Sequence, residues 1–204
     1  MFTGIVTALG KIQSIQPLGG DAAGVRLYVD AGGLGLHDVV LGDSICIQGA
    51  CMTAVEIQGN VFAVDVSRES LSKTAGLDAL GEVNLEKSLT LATKLGGHLV
   101  SGHVDGMGRV ERFEAVGESW LLEIEAPRSL AKYFAYKGSV TINGVSLTVN
   151  QVTDQADSVR FQLNLIPHTV QVTTLRHLRP GQAVNLEVDL IARYVERMLS
   201  TQNV

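Results

Sequence analysis

The chain has 204 residues, a formal net charge of −5 and a hydrophobic fraction of 46%. This composition is that of an ordinary globular protein, and the length allows one large domain or two small ones. Acidic and basic residues are mixed without a basic stripe, which argues against nucleic acid as the main partner. No signal-peptide pattern opens the chain, and no apolar run approaches the ~20 residues of a membrane helix. We therefore expect a cytoplasmic protein with no membrane partner.

Short segments of the first half recur in the second half, in the same order and at a nearly constant distance along the chain. Such self-similarity indicates a duplicated domain. The matched segments are FTGIV (2–6) with VSGHV (100–104), QGACMT (48–53) with NGVSLT (143–148), FAVDV (62–66) with FQLNL (161–165), and VNLE (83–86) with VNLE (184–187).

Within each copy, apolar and polar residues alternate over short stretches. Phe62, Val64 and Val66 share one face of a predicted strand, and Asp65 lies on the other. The pair Ile45 and Ile47 shows the same period. Gly, Asn and Asp turn signals separate these stretches. The pattern predicts an all-β fold, with a small closed barrel or sandwich in each half.

The two cysteines, Cys46 and Cys51, lie close together within one predicted strand and turn. We expect this placement to be poor for a disulfide framework, and it lacks the C-x-x-C spacing of many zinc sites. His98 and His103 fall in a predicted strand at an odd separation, which would put them on opposite faces. The sequence therefore predicts no metal site.

Few segments have helical signals. Residues 129–136 could form a short helix after Pro127. A clearer helix is expected from about Leu190 to Ser200, where Ile191, Tyr194 and Met198 form an apolar stripe. That stripe suits either a helix that packs on the second barrel or one that associates subunits, and the pattern does not choose between them.

The two copies differ at positions where a pocket would lie. Cys51 occupies the place of Ser146, and Ile5 that of His103; Thr3 and Asp65 correspond to Ser101 and Asn164. These exchanges involve small polar or reactive groups beside glycines. Taken alone, however, each has an ordinary explanation. A single cysteine is more often an inert buried thiol, a histidine is often satisfied by backbone, and Asp65 and Asn164 would face solvent.

Several longer motifs carry a resemblance to a known family. They are MFTGIV at the start, GDSICIQGACMTAV, GGHLVSGHVDG at the junction of the halves, KGSVTINGVSLTVN, NLIPHTVQVTTL and the final VNLEVDLIARYVERML. Together they span essentially the whole chain in order, and they resemble the riboflavin synthases.

The resemblance implies two similar six-stranded Greek-key β-barrels plus a C-terminal α-helix. The expected lumazine-binding barrels are residues 1–97 and 98–189, and residues 190–204 form a trimerisation helix and tail. It also implies a cytoplasmic homotrimer. This transferase would convert two molecules of 6,7-dimethyl-8-ribityllumazine into riboflavin and 5-amino-6-(ribitylamino)uracil, without cofactor or metal. The active site would lie between the first barrel of one subunit and the second barrel of a neighbour.

The resemblance also implies roles for individual residues. Cys51 and Ser44 would handle the nucleophile or a proton at the acceptor molecule, while His103 is the candidate base for the acidic methyl proton. Ser146 and Thr148 would hold the donor ring. Three further residues are expected to help close or orient the site: Phe2, Thr3 and Asp189.

The remaining expected contacts fall into two groups, one for each barrel. In the first group are Gly4, Ile5, Val6, Met52, Thr53, Asp65, Val66, Ser67, Arg68, Glu69 and Ser70. The second group consists of Gly102, Val104, Lys137, Leu147, Ile166, Pro167, His168, Thr169, Val170 and Gln171.

The nearest alternative is a non-catalytic relative of the same fold that binds a lumazine or flavin as a light antenna. Polar, motif-like pockets in both halves favour the enzyme, because a binder could dispense with one of them.

Overall fold

The computed structural model describes residues 1–20 and 24–201. Its first half is a closed antiparallel β-barrel of six strands with one short helix after β5. The elements are β1 (Ala8–Pro17), β2 (Val25–Asp30), β3 (Ser44–Ile47), β4 (Ala50–Gln58), β5 (Val61–Val66), α1 (Arg68–Lys73) and β6 (Gly81–Lys87).

The second half repeats this barrel, with a short helix at the same place and 3-10 helices at Arg128–Tyr133 and Thr174–His177. Its elements are β7 (Gly106–Val116), β8 (Ser119–Pro127), β9 (Ser139–Ile142), β10 (Val145–Asp154), β11 (Ser158–Leu165), α2 (Pro167–Val172) and β12 (Ala183–Val188), and α3 (Leu190–Ser200) follows.

Both barrels have the same strand order. Around the first it is β1-β2-β5-β4-β3-β6, and around the second it is β7-β8-β11-β10-β9-β12. Three strands joined by hairpins and a fourth that returns beside the first of them make a Greek key. The expected all-β fold of two six-stranded Greek-key barrels is thus confirmed.

Alternation along the strands fills each barrel with its own core. Phe62, Val64 and Leu27 are fully or almost fully buried in the first, and Phe161 and Leu163 in the second. Alternate side chains point to opposite faces of a strand. The outer face of the same strands is therefore free to carry polar groups.

Two equivalent hairpin turns meet where the barrels join. Gly49 in the first turn and Gly144 in the second have φ of 91° and 81°. A Cβ on Gly49 would lie 2.8 Å from the Gly144 nitrogen, so a side chain would force the turns apart. Asn84 donates to the Asn143 carbonyl at 2.9 Å, and Asn185 donates to the Gln48 carbonyl at 2.8 Å. The paired asparagines make the junction nearly symmetrical.

The helices differ in part from expectation. The predicted helix at residues 129–136 is a 3-10 helix over Arg128–Tyr133, whereas α3 has the expected bounds. Glu196 on α3 accepts from Lys132 at 2.5 Å, so one side of α3 is tied to the second barrel. Residues 202–204 of the expected tail lie outside the described residues. In the described ranges, none of the helices has the length and apolar character needed to cross a membrane.

Candidate functional site

A small polar surface lies on the outside of the β3–β4 hairpin. Ile45 and Met52 point into the barrel core, and the alternating positions Ser44, Cys51 and Thr53 point outward. Ser44 lies directly opposite Thr53 in the antiparallel register. We call Ser44, Cys51 and Thr53 the first polar face.

The β9–β10 hairpin repeats this surface in the second barrel. Ser139 lies opposite Thr148, and Ser146 is the outward-facing residue between the core residues Val145 and Leu147. We call Ser139, Ser146 and Thr148 the second polar face. The exchange of Cys51 for Ser146 expected from the sequence is thus an exchange between equivalent positions.

Each polar face is bordered by the opening segment of the other copy. The Cys51 nitrogen donates to the Gly102 carbonyl at 2.7 Å, and Val104 packs against the core of the first barrel. Reciprocally, the Ser146 nitrogen donates to the Gly4 carbonyl at 2.8 Å, and Val6 packs against the core of the second barrel. Gly4 and Val6 thus border the second polar face, and Gly102 and Val104 border the first, although each was expected to contribute to its own copy's barrel.

The crossing requires glycine on both sides. Gly4 and Gly102 have φ of 74° and 76°, a region that favours glycine. A Cβ at Gly4 would lie 2.6 Å from Cβ of Ser146, and one at Gly102 would lie 2.7 Å from Cβ of Cys51. The backbone of each segment thus lies directly against the residue that distinguishes the two faces.

A buried carboxylate anchors each crossing segment. Glu86 accepts from the nitrogen and hydroxyl of Thr3 and from the Gly4 nitrogen at 3.0 Å. Glu187 accepts from Ser101 in the same way, and from the Gly102 nitrogen at 2.9 Å. Burial raises the pKa of both carboxyls, although the hydrogen bonds oppose this. The sequence analysis missed both residues, although the identical VNLE in the two copies marked them.

His98 is a second residue that the sequence analysis missed. Its Nδ1 lies 2.8 Å from Oγ of Ser146 on the second polar face, and its Nε2 is buried with no hydrogen-bond partner in the described ranges. Burial lowers the pKa of His98, against the opposing charge of Asp189. The segment around it is not a strand but an extended connection with one bridge, between Phe2 and Val100.

His103 lies at the edge of the first polar face. It follows Gly102 in the segment that borders Cys51, its side chain is exposed, and its nitrogen donates to Oγ of Ser101 at 3.2 Å. Ile5, its counterpart beside the second face, is 46% exposed, and its nitrogen donates to the Thr3 hydroxyl at 3.1 Å. The imidazole of His103 at the edge of the first face thus comes from the second copy.

Some expected contact residues point away from both faces. Four of them have side chains in the barrel cores; they are Met52, Val66, Leu147 and Val170. Phe2 is fully buried between the barrels with Cys46 and Val100, and Thr3 is held by Glu86. Both fix the crossing segment from inside the protein rather than cover a surface.

The other expected contact residues lie in β5, in a turn before β9 and around the starts of α1, α2 and α3. Asp65 lies on the exposed side of β5 and accepts two hydrogen bonds from Arg26. These bonds lower the pKa of its carboxyl. Lys137 donates to Asn150 at 3.1 Å, and Asp189 caps α3 by accepting from the Ile191 nitrogen at 2.8 Å. The remaining ones are the N-caps of α1 and α2 and residues within these two helices; they are Ser67, Arg68, Glu69, Ser70, Ile166, Pro167, His168, Thr169 and Gln171.

Comparison with known proteins agrees with this duplicated architecture. The lumazine binding domain family matches the chain twice, over residues 3–88 and 101–189. The riboflavin synthase of Photobacterium phosphoreum is 44% identical over 98% of this chain and 89% of its own length. The chain belongs to the riboflavin synthase family. A riboflavin synthase of Mycobacterium bovis is 41% identical, with 98% of each chain covered.

Among solved structures, the chain is similar to LumP complexed with 6,7-dimethyl-8-(1'-D-ribityl) lumazine. The TM-score is 0.78 at 25% identity, with 92% of this chain and 99% of LumP covered. The resemblance in sequence to the riboflavin synthases is therefore confirmed, and the likeness to LumP shows that the same double barrel also occurs in a protein that binds the lumazine.

Proposed function

We propose that this protein is a riboflavin synthase, a transferase that moves a four-carbon unit between two molecules of 6,7-dimethyl-8-ribityllumazine. The products are riboflavin and 5-amino-6-(ribitylamino)uracil. The observation that carries the proposal is the pair of equivalent polar faces, each bordered by the other copy's opening segment and unlike at one reactive position, Cys51 against Ser146.

Two related faces suit a reaction between two identical molecules. Each face would hold one lumazine, and a fixed mutual orientation can lower the barrier by about 7–11 kcal/mol relative to a free encounter. The two molecules must nevertheless play different parts, because one gives up a methyl proton and the other accepts a nucleophile. The differences between the faces support that division.

The first polar face would hold the acceptor. Cys51 supplies a half-buried thiol, and Ser44 supplies a hydroxyl on the neighbouring strand. The first polar face therefore presents both a nucleophile and a proton donor. His103, at the edge of the same face, is our candidate for removal of the methyl proton, since its exposed imidazole can act as a general base toward a bound molecule.

The second polar face would hold the donor through hydroxyl groups. Ser146 and Thr148 present two hydroxyls on one strand, and His98 fixes the rotation of the Ser146 hydroxyl. Because its pKa is lowered by burial, His98 is neutral at neutral pH and one ring nitrogen can accept a proton. We assign to His98 the positioning of Ser146, and to Asp189 the positioning of the strand end beside it.

We further propose that a complete site forms between subunits of a homotrimer in the cytoplasm. The support is α3, whose apolar residues Ile191, Tyr194 and Met198 are 65%, 63% and 64% exposed in the single chain. Such a continuous apolar stripe favours burial against a partner. The opposite side of α3 is held by Lys132 and by Asp105, which pairs with Arg193 at 2.8 Å.

Incubation of the purified protein with 6,7-dimethyl-8-ribityllumazine tests the proposal. We expect riboflavin fluorescence to appear, with one riboflavin formed for every two lumazines consumed and no requirement for an added cofactor. Tight binding of the lumazine without riboflavin formation would instead favour a binding role, for which the likeness to LumP is the supporting observation.

A further inference from the structure

A pair of free thiols faces across the first barrel's central hairpin. Cys46 on β3 and Cys51 on β4 are direct partners in the antiparallel register. The two residues are brought opposite each other because the chain reverses between them. We propose that Cys46 and Cys51 are an oxidative modification site, which a hydroperoxide converts to a reversible intramolecular disulfide.

The turn between the two residues fixes their approach. Gln48 and Gly49 both have positive φ, 51° and 91°, as in a tight two-residue hairpin turn. Cys46 and Cys51 are then the first pair beyond the pair that closes the turn. The Cys51 nitrogen donates outward to Gly102, not across the hairpin. Antiparallel residue pairs that exchange no backbone hydrogen bonds have Cα atoms about 4.5 Å apart, which is within the range that disulfides span.

Both side chains also lie on the same side of the hairpin. They pack in one cluster with Phe2 and Val100, between the two barrels, while Ile45 and Met52 point into the core. No other described side chain separates the two strands at this register. Closing the bond would therefore require rotation of two short side chains and no change of strand pairing.

The two thiols differ in access, which sets the order of events. Cys51 is half-buried and borders the polar face, whereas Cys46 is 3% exposed. Burial, together with the charges of Glu86 and Glu187, raises the pKa of Cys46. Peroxide therefore meets Cys51 first, and Cys46 acts as the resolving thiol. Because resolution depends on the thiolate fraction, the bond should form faster as pH rises.

The chemistry balances with one molecule of hydrogen peroxide. The Cys51 sulfur attacks the peroxide O–O bond, a sulfur–oxygen bond forms, and hydroxide leaves and takes up the thiol proton as water. The Cys46 sulfur then attacks the Cys51 sulfur and expels the hydroxide, which leaves as water with the Cys46 proton. Two thiols are oxidised, one peroxide is reduced and two waters are released.

The second barrel lacks this possibility. The positions equivalent to Cys46 and Cys51 are Thr141 and Ser146, which are partners in the same register of β9 and β10. Oxidation would therefore act on the first polar face alone. Oxidation would also stop riboflavin formation, because Cys51 would no longer offer a thiol to a bound molecule; this consequence rests on the proposed function.

The test uses the full chain treated with hydrogen peroxide and then alkylated after denaturation. We expect an intact mass lower by two hydrogen atoms, two thiols protected from alkylation, and a peptide that links Cys46 to Cys51. Dithiothreitol should restore both thiols and, with them, riboflavin formation. Bound riboflavin should slow the modification if it covers the first polar face.

Cys46→Thr is the matched control, because threonine stands at the equivalent buried position of the second barrel; Cys46→Ala serves if threonine disturbs folding. Reduced Cys46→Thr should keep its activity but lose it irreversibly in peroxide, as Cys51 proceeds to sulfinic acid. The proposal is overturned if both wild-type thiols remain alkylatable after oxidation, or if the disulfide joins two chains. The mass readout does not depend on activity, so it separates this failure from a failure of the proposed function.

Discussion

Glu86 accepts two hydrogen bonds from Thr3, at 2.7 Å from the nitrogen and 2.5 Å from the hydroxyl, although 83 positions separate the two residues. Because Gly4 follows Thr3 and touches Ser146, a residue of the first barrel holds the border of the second polar face. Glu187 has the reciprocal role at the first face. Each barrel thus shapes the other's site.

Glu86→Gln should therefore impair the second polar face more than the first. Glutamine offers one acceptor instead of two, so a buried N–H loses its partner, at a cost of about 1–3 kcal/mol in the free energy of unfolding. We expect weaker binding of lumazine at the second face, read by titration with a lumazine analogue. Glu187→Gln is the matched variant and should weaken the first face. Equal effects of both variants on both faces would contradict the crossed arrangement.

The same carboxyls make stability depend on pH. Burial raises the pKa of Glu86 and Glu187 above the ordinary value of 4.5, so the folded state holds these protons more tightly than the unfolded chain. Their contribution to the free energy of unfolding is full below pH 4.5 and is lost as pH rises through the raised pKa values. The advantage of the wild type over the double glutamine variant should therefore shrink with rising pH. Urea unfolding followed by circular dichroism measures this, and an unchanged difference would refute it.

Local alternation was enough to predict an all-β fold with a small closed barrel or sandwich in each half, whereas the six-stranded Greek-key form came from the family resemblance. The periods at Phe62 and Phe161 depend on which residues must be buried, and burial leaves a periodic trace in sequence. The same rule, applied strictly, would also have placed Met52 and Leu147 in the cores, because each alternates with a polar neighbour on its strand.

The crossing of the opening segments could not be predicted in this way. Nothing local to Gly4 or Gly102 tells which barrel it borders, since that is decided by hydrogen bonds to Glu86 and Glu187, more than 80 positions away. The pairing of Cys46 with Cys51 likewise depends on where the chain reverses. A one-residue change in the length of the turn would have placed the thiols on opposite faces.

Gly4→Ala and Gly102→Ala should both destabilise the protein and distort the adjoining face. Positive φ costs a non-glycine residue about 1–2 kcal/mol, and the new Cβ would also clash with Ser146 or Cys51. Gly59→Ala is the control, because Gly59 has φ of 60° in a hairpin turn with no atom near its Cβ position. Urea unfolding should show a larger loss for Gly4 and Gly102 than for Gly59. Equal losses in the free energy of unfolding would mean that the close contacts of the new Cβ with Ser146 and Cys51 do not destabilise the protein.

Met198→Glu should weaken self-association through α3. Met198 is 64% exposed in the single chain, and burial of a carboxylate in an apolar interface is costly. Sedimentation velocity should show a trimer for the wild type and smaller species for the variant, with lower riboflavin formation. Arg197→Gln changes the net charge by the same amount at the adjacent exposed position, and it should leave the mass unchanged. Full activity of a monomeric Met198→Glu would contradict completion of the site between subunits.

His98 and Ser146 should act as one unit. Burial lowers the pKa of His98 below 6.5, so the imidazole stays neutral at neutral pH and gains its proton only as pH falls through the lowered value. Protonation would turn its acceptor nitrogen into a donor, and riboflavin formation should therefore decline on the acid side below pH 6.5. His98→Gln should remove this limb of the pH profile. In a double-mutant cycle of His98→Gln with Ser146→Ala, contact at 2.8 Å predicts a coupling of about 0.5–3 kcal/mol in kcat/KM. Simple additivity would show that the two side chains touch without cooperating.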